Sequence, residues 1–232
     1  MSILRKNELL IKRIAHALKG INANIVFVGG AVVGFYANDP AADDVRPTVD
    51  IDISVEITSN IELEEFRKKI NKIGFQHDSK IICRFHYDGI IVDVMGRKEI
   101  GWAPANKWFD LGFDYLEEKE IDDLKIQILS FPYFLATKFE AYQSRGISDP
   151  RSSKDFEDIA YLLDNVTDFP EKIKSANKDV RIYLIERLQE IQNSDTLQEG
   201  IISQLSYQTQ NERFQMIMEK IESFKRHDKS DS

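Results

Sequence analysis

The sequence predicts an α/β fold of the α+β type, with a small mixed β-sheet in the first half and helices in the second. Two patterns support this. Short apolar runs separated by glycine-containing turns fill the first half, which is typical of strands. Apolar residues at helical spacing fill the second half. We therefore divide the chain into a core at 1–125, a helical domain at 126–226 and a disordered tail at 227–232.

Composition excludes several classes of protein. The chain has 232 residues, 42% of them hydrophobic, which suffices for a buried core. The single cysteine, Cys83, excludes an internal disulfide and suits a reducing cytoplasm. Residues 1–20 contain no long apolar stretch, so we expect neither a signal peptide nor a membrane partner. The net charge of -8 requires a local basic patch for any RNA partner.

The first elements alternate between helix and strand. Residues 3–19 form an amphipathic pattern that predicts a helix ending at Gly20. The run "ANIVFVGG" predicts a buried strand that ends in Gly29 and Gly30, and "AVVGFYA" predicts a helix after it. Residues 38–48 contain two prolines and no apolar period, so we expect an exposed loop that leads to the next strand.

That strand carries two aspartates. In "DIDISVEI" apolar residues alternate with polar ones, so Asp50 and Asp52 point to the same face, about 6 to 7 Å apart. Two like charges at this distance need a counter-ion. Mg²⁺ suits them because it binds a few carboxylates and leaves its other positions to water and phosphates. The alternative is a solvated face of the sheet.

A third aspartate lies in a predicted hairpin. In "KIICRFHYDGIIVDVMG" the favoured turn Asp88-Gly89 separates two apolar runs, and counting back from it places Arg84 opposite Asp93. A carboxylate in an otherwise apolar strand needs a partner or a metal ion. The sequence allows two interpretations: a cross-strand pair between Arg84 and Asp93, or Asp93 as third carboxylate of a metal site with Asp50.

The second half predicts successive helices. Ser130 is a candidate cap for a helix that ends at Gly146. Ser152 or Ser153 is a candidate cap for the next helix. Beyond Asp168 the pattern predicts three further amphipathic helices.

Three of the motifs described above occur in a fixed order along the chain. They are Gly29-Gly30 after a strand, Asp50-x-Asp52 on the next strand, and Asp93 on a later strand. This order resembles the DNA polymerase β-type nucleotidyltransferase superfamily. The segments "VGGAVVGFY...RPTVDIDI" and "FLATKFEAYQSRGISDPRSSKDFEDIAYLL" look most like its AbiEii/AbiGii toxin group. The resemblance covers about residues 20–165. The chain departs from many relatives in the longer interval before Asp50 and in Ala31, where they have Ser or Thr.

The resemblance implies a set of roles. Two Mg²⁺ ions would be held by Asp50, Asp52 and Asp93 and would bind a nucleoside triphosphate. Asp93 would also help to take the proton of the acceptor hydroxyl. The backbone at Gly29 and Gly30 would approach the phosphates.

Further site residues are implied in the helical half and the hairpin. Lys138 would contact the triphosphate, the alternative being an ordinary exposed lysine. Asp155, ahead of Asp158, would lie beside the active site, the alternative being a carboxylate that favours a helix N-terminus. Arg84 would either bind phosphate or neutralise Asp93.

The implied function is Mg²⁺-dependent transfer of a nucleoside monophosphate from an NTP to a hydroxyl acceptor. By resemblance the acceptor is RNA, at the 3′ end of tRNA, and the protein is a candidate toxin of a toxin-antitoxin or phage-defence system with a cognate antitoxin as candidate partner. One alternative is a small-molecule acceptor such as an aminoglycoside. Another is a catalytically inactive nucleotide-binding or interaction module.

Overall fold

The computed structural model describes residues 1–145 and 149–224. It divides into two compact units, one of Met1–Phe35 with Asp44–Ser130 and one of Tyr36–Asp43 with Phe131–Ser232. The predicted helix end at Gly146 and the predicted tail at 227–232 lie outside the described residues.

The first unit is built around a mixed sheet. Its elements are α1 (Ile3–Leu18), β1 (Ile25–Val28), a 3₁₀ helix (Gly30–Phe35), β2 (Asp50–Val55), α2 (Asn60–Lys72), β3 (Gln76–His77), β4 (Arg84–Tyr87), β5 (Ile90–Gly96), α3 (Phe109–Gly112), β6 (Leu116–Ile121) and β7 (Leu124–Leu129). Within the described chain these form a seven-stranded sheet in the order β3-β4-β5-β2-β1-β7-β6. The pairs β1/β7 and β2/β5 are parallel and the others antiparallel, which confirms the predicted mixed α/β fold.

Apolar alternation places the core of this unit on one face of β2. Ile51, Ile53 and Val55 are fully buried, whereas Asp50 and Asp52 are only half-buried. The period of two therefore separates the core from a polar face, as the sequence predicts. Strand β7 runs across residue 125, where the sequence analysis divides the chain, and the first unit continues to residue 130.

The helix predicted after the glycine pair is present, as a 3₁₀ helix of six residues that begins at Gly30. The backbone there is tightly enclosed: a Cβ on Gly34 would lie 2.6 Å from Leu4 Cδ1 and 3.0 Å from Val45 Cγ1. This short helix packs against α1, and its β-branched residues Val32 and Val33 are buried.

The second unit is helical where it is described. Its elements are α4 (Phe131–Ser144), a 3₁₀ helix (Pro150–Ser152), α5 (Lys154–Asn165), α6 (Phe169–Lys174), α7 (Lys178–Gln192), α8 (Asp195–Gln204) and α9 (Gln210–Glu222). The described residues after Asp168 thus form four helices, where three were predicted. Ser153 caps α5 by accepting a hydrogen bond from the N–H of Phe156. Among the described helices, none is long and apolar enough to cross a bilayer.

Residues 36–43 belong to this helical unit. The ring of Tyr36 stacks on that of Phe134, with centroids 4.5 Å apart. The Asp39 carboxylate pairs with Arg213 at 2.6 Å. The first part of the predicted loop at 38–48 is therefore tied to α9 through Asp39, whereas its last residues belong to the first unit.

Candidate active site

The sheet register brings the three aspartates of the first unit to one face. Strand β5 runs parallel to β2, with Asp52 directly beside Asp93 and Asp50 beside Ile91. Residues paired across neighbouring strands point the same way, so the side chains of Asp50, Asp52 and Asp93 share the polar face. We call this set the acidic row.

Arg84 lies at one side of the acidic row. Its Nε donates to Asp93 Oδ1 at 2.8 Å and its Nη2 to Asp93 Oδ2 at 2.7 Å, while Asp50 Oδ2 is 3.7 Å from Nη2. The hydrogen bonds to Asp93 raise the pKa of Arg84 further above its ordinary value. The predicted cross-strand pair is therefore present, and phosphate binding by Arg84 stays a prediction.

Thr48 orients the first aspartate of the row. Its hydroxyl lies 3.1 Å from both the carbonyl oxygen and the carboxylate Oδ1 of Asp50. The hydrogen bond from Thr48 therefore orients the Asp50 carboxylate toward the start of β2. The sequence analysis did not single out Thr48, although it continues the alternation of β2 backward from Asp50.

The glycine pair makes room for two side chains. Gly29 has φ +72°, and a Cβ there would fall 1.8 Å from Asp52 Oδ2. A Cβ on Gly30 would fall 2.6 Å from Nη2 of Arg46. These two glycines thus let a carboxylate and a guanidinium come close to the backbone. Their predicted contact with phosphates stays a prediction, and Arg46 is a residue that the sequence analysis missed.

The donor set of the acidic row suits a divalent cation. Carboxylate oxygens are the ligands that Mg²⁺ prefers, and the two strands place them on neighbouring positions. Within residues 1–145 and 149–224, no three His, Cys, Asp or Glu side chains already converge on one point. The reason lies in the contacts above: both oxygens of Asp93 face Arg84, and the Asp52 carboxylate lies against Gly29. A metal ion here requires these side chains to turn.

A second charged cluster lies within the helical unit. Lys138 Nζ on α4 is 2.7 Å from Asp158 Oδ2 and 3.8 Å from Asp155 Oδ1, both on α5. Arg145 Nη1 lies 2.6 Å from the other oxygen of Asp155. Lys138 is only 5% exposed and Asp158 1%, so the alternative of an ordinary exposed lysine is wrong. Asp158, rather than Asp155, is the nearer partner of the lysine.

Two solved structures are similar to this chain. One is an antigenic nucleotidyltransferase-like protein from Paracoccidioides brasiliensis, with a TM-score of 0.52 and 17% identity over 86% of this chain and 94% of that chain. Another is the antibiotic-resistance factor ANT(2'')-Ia, with a TM-score of 0.49 and 14% identity over 82% of this chain and 96% of that chain. No curated protein matches the chain significantly. The first likeness shows a nucleotidyltransferase fold.

The family is defined by the sequence match. The family described as nucleotidyl transferase AbiEii toxin, type IV TA system, matches residues 12–231. The chain therefore belongs to this family and is a nucleotidyltransferase, which confirms the resemblance drawn from its motifs.

Proposed function

We propose that the protein transfers a nucleoside monophosphate from an NTP to a hydroxyl group and releases pyrophosphate, with Mg²⁺ as cofactor. The observation that carries the proposal is the register of β2 and β5, which puts Asp50, Asp52 and Asp93 on one polar face. Three carboxylates on adjacent strands of a nucleotidyltransferase form a donor set for metal-assisted phosphoryl transfer.

Each residue has a proposed role. Bound Mg²⁺ ions, two in number, would lower the pKa of the acceptor hydroxyl and neutralise the triphosphate. Asp50, oriented by Thr48, and Asp52 would hold both ions. Asp93 would turn from Arg84 to hold one of them and to accept the acceptor's proton. Arg84 would then balance the charge of the acidic row or bind phosphate.

The roles proposed for the helical unit concern the triphosphate. Lys138 is proposed to contact it, with Asp155 beside the active site. The ion pair with Asp158 supports a precisely positioned lysine, because a buried ammonium held by two carboxylates has little rotational freedom.

The acceptor and the partner follow from the family. Membership of a type IV toxin family supports a toxin of the cytoplasm with a cognate antitoxin. We propose RNA as the acceptor, at the 3′ end of tRNA. Because the net charge is -8, the RNA must be held by local basic groups rather than by the overall charge.

The test is incorporation of label. The protein is incubated with Mg²⁺, one of the four α-labelled NTPs, and either total RNA or a panel of aminoglycosides. Transfer of the label to the RNA or to the aminoglycoside is then measured. The inactive variant is Asp50→Asn/Asp52→Asn. Its matched control is Asp122→Asn/Asp123→Asn, which removes two carboxylates from the exposed β6–β7 turn of the same unit.

Label in a tRNA band with wild type and control, absent with the inactive variant, is the expected result. Label in the aminoglycosides alone would replace the RNA acceptor by a small molecule. Label in neither, together with no Mg²⁺-dependent NTP binding by calorimetry, would identify an inactive module instead.

A further inference from the structure

The segment that leads into β2 is anchored at its end. The Asp44 carboxylate accepts hydrogen bonds from the backbone N–H groups of Ile3 and Leu4 at the start of α1. Val45 is 2% exposed and packs beside Gly34. The sequence alone assigned no role to the interval between Gly30 and Asp50. Asp44 is held on α1 and Val45 on the 3₁₀ helix, so the backbone of the next residue, Arg46, has a defined position.

The Arg46 guanidinium extends to the glycine pair. A Cβ on Gly30 would lie 2.6 Å from its Nη2, 3.3 Å from its Cζ and 3.5 Å from its Nη1. Its Nη1 also lies 3.4 Å from the carbonyl oxygen of Pro47. On the adjacent glycine, Gly29, the corresponding position is filled by Asp52 Oδ2. A guanidinium and a carboxylate of the acidic row therefore lie against neighbouring residues.

The acidic row is thus flanked by an arginine on each side. Arg84 lies on β4, beyond Asp93, and is engaged by both oxygens of that aspartate. The Arg46 guanidinium lies against Gly30, just after β1, and β1 pairs with β2 on the edge away from β5.

We propose that Arg46 is a binding residue for the triphosphate of the NTP, and this inference rests on the function proposed above. An NTP held through a metal ion on Asp52 would have its phosphate oxygens close to that carboxylate. A planar guanidinium donates two parallel hydrogen bonds to phosphate oxygens in a fixed geometry, whereas a lysine ammonium acts as a point charge. Gly30 leaves the space that the guanidinium occupies. Arg46 therefore gives affinity for the triphosphate and little for a monophosphate.

A rival role is that Arg46 serves only as counter-ion to Asp52. The two roles predict different effects on nucleotide and on metal binding. A residue that binds phosphate contributes to NTP affinity in proportion to the number of phosphate groups that it contacts. A pure counter-ion competes with cations for Asp52, so its removal strengthens metal binding and leaves the triphosphate contact unchanged.

The experiment compares three single variants and the double variant Gly30→Ala/Arg46→Gln with wild type by calorimetry with Mg²⁺. The ligands are ATP, GTP, CTP and UTP, and the four matching monophosphates. The variants are Arg46→Gln, Arg46→Lys and Gly30→Ala, whose new Cβ displaces the flexible end of Arg46 rather than backbone. The matched control is Arg67→Gln, which removes a partly exposed arginine of α2 that pairs with Glu64. Mn²⁺ binding without nucleotide is measured in parallel.

We expect Arg46→Gln to weaken NTP binding by about tenfold to a hundredfold and monophosphate binding by less than about threefold. Arg46→Lys should lose less, and Gly30→Ala should weaken NTP binding with no further loss when combined with Arg46→Gln. The control should equal wild type.

Two results would overturn the inference alone: NTP affinity unchanged in Arg46→Gln with tighter Mn²⁺ binding, or an equal loss for NTP and monophosphate. A wild-type protein that binds none of the four NTPs would reject the proposed function and, with it, this inference. Wild-type binding that the Asp50→Asn/Asp52→Asn variant lacks keeps the proposed function whatever Arg46 does.

Discussion

Arg84 and Asp93 face each other across β4 and β5 and share two hydrogen bonds, at 2.8 and 2.7 Å. Both side chains are largely shielded from water. A bidentate pair of this kind is stronger than a single hydrogen bond between neutral groups. Because both Asp93 oxygens are engaged, the guanidinium competes with any cation for this carboxylate.

Removing that competition should favour metal binding. We expect Arg84→Gln to bind Mn²⁺ about threefold to thirtyfold more tightly than wild type, since a positive charge next to two carboxylates has gone. Electron paramagnetic resonance of Mn²⁺ measures this affinity directly. Arg13→Gln, which removes an exposed arginine that pairs with Asp88 at the turn of the same hairpin, is the control. Weaker Mn²⁺ binding in Arg84→Gln would show that Arg84 orients Asp93 for the metal.

The same variant settles the second interpretation of Arg84. If the arginine binds phosphate, Arg84→Gln loses NTP affinity at saturating Mg²⁺, whereas a counter-ion alone leaves it unchanged.

A methyl group on Gly29 should displace the Asp52 carboxylate. A comparison with Gly89, which has a similar φ but no neighbour, separates this effect from backbone strain. Gly29→Ala puts Cβ 1.8 Å from Asp52 Oδ2 and also strains a backbone with φ +72°. Gly89→Ala has φ +76° but nothing within 4 Å of its Cβ. Each should lose about 1 kcal/mol of unfolding free energy through strain. Only Gly29→Ala should also lose Mg²⁺-dependent NTP binding, measured by calorimetry. Equal binding in the two variants would contradict a role for Asp52.

The buried lysine of the helical unit should be critical for stability. Lys138→Met leaves the buried carboxylate of Asp158 without its ammonium partner, and we expect a loss of about 3 to 5 kcal/mol in urea unfolding. Lys138→Met/Asp158→Asn should recover part of this loss because the stranded charge is gone. The control Lys125→Met breaks an exposed pair with Glu118 and should change stability by less than about 1 kcal/mol. A Lys138→Met variant as stable as this control would argue against the ion pair.

Asp44 gives stability a defined pH dependence. Burial raises the pKa of its carboxyl, but hydrogen bonds from Ile3, Leu4 and Val45 lower it more, so the pKa is below the ordinary value. A depressed pKa contributes stability above the unfolded-state pKa of about 3.9, and this contribution is lost as the pH falls through the folded-state value. Asp44→Ala should therefore cost about 1 kcal/mol at pH 7 and progressively less below about pH 4.

Urea midpoints at pH 7, 5, 4 and 3 measure this dependence. Asp43→Ala, at the exposed neighbouring position, is the control. A loss in Asp44→Ala that stays constant down to pH 3 would rule out the charge as its cause.

Strand geometry predicts two parts of the acidic row, whereas the placement of Asp93 beside Asp52 depends on the pairing of β5 with β2 and was implied by the family resemblance. A period of two puts Asp50 and Asp52 on one face, and the two-residue turn at Asp88-Gly89 sets Arg84 opposite Asp93. Neither inference needs knowledge of distant packing.

Other features depend on packing that local patterns do not encode. Strand β6, "LEEKEI", is mostly polar and buries only Ile121, so it lacks the apolar signal of a strand. The contact of Arg46 with Gly30 joins residues 16 positions apart through a side-chain conformation. Likewise, Asp155 and Asp158 are both placed on α5, but only the packing of α4 decides which lies nearer to Lys138.

Because Tyr36–Asp43 belongs to the helical unit, the chain passes between the units three times, after Phe35, Asp43 and Ser130. No single cleavage can release both units whole. A fragment that ends at Ser130 keeps Tyr36 without its stacking partner, and a fragment that begins at residue 131 keeps Arg213 without Asp39. Separately produced halves would regain the native arrangement only by fragment complementation.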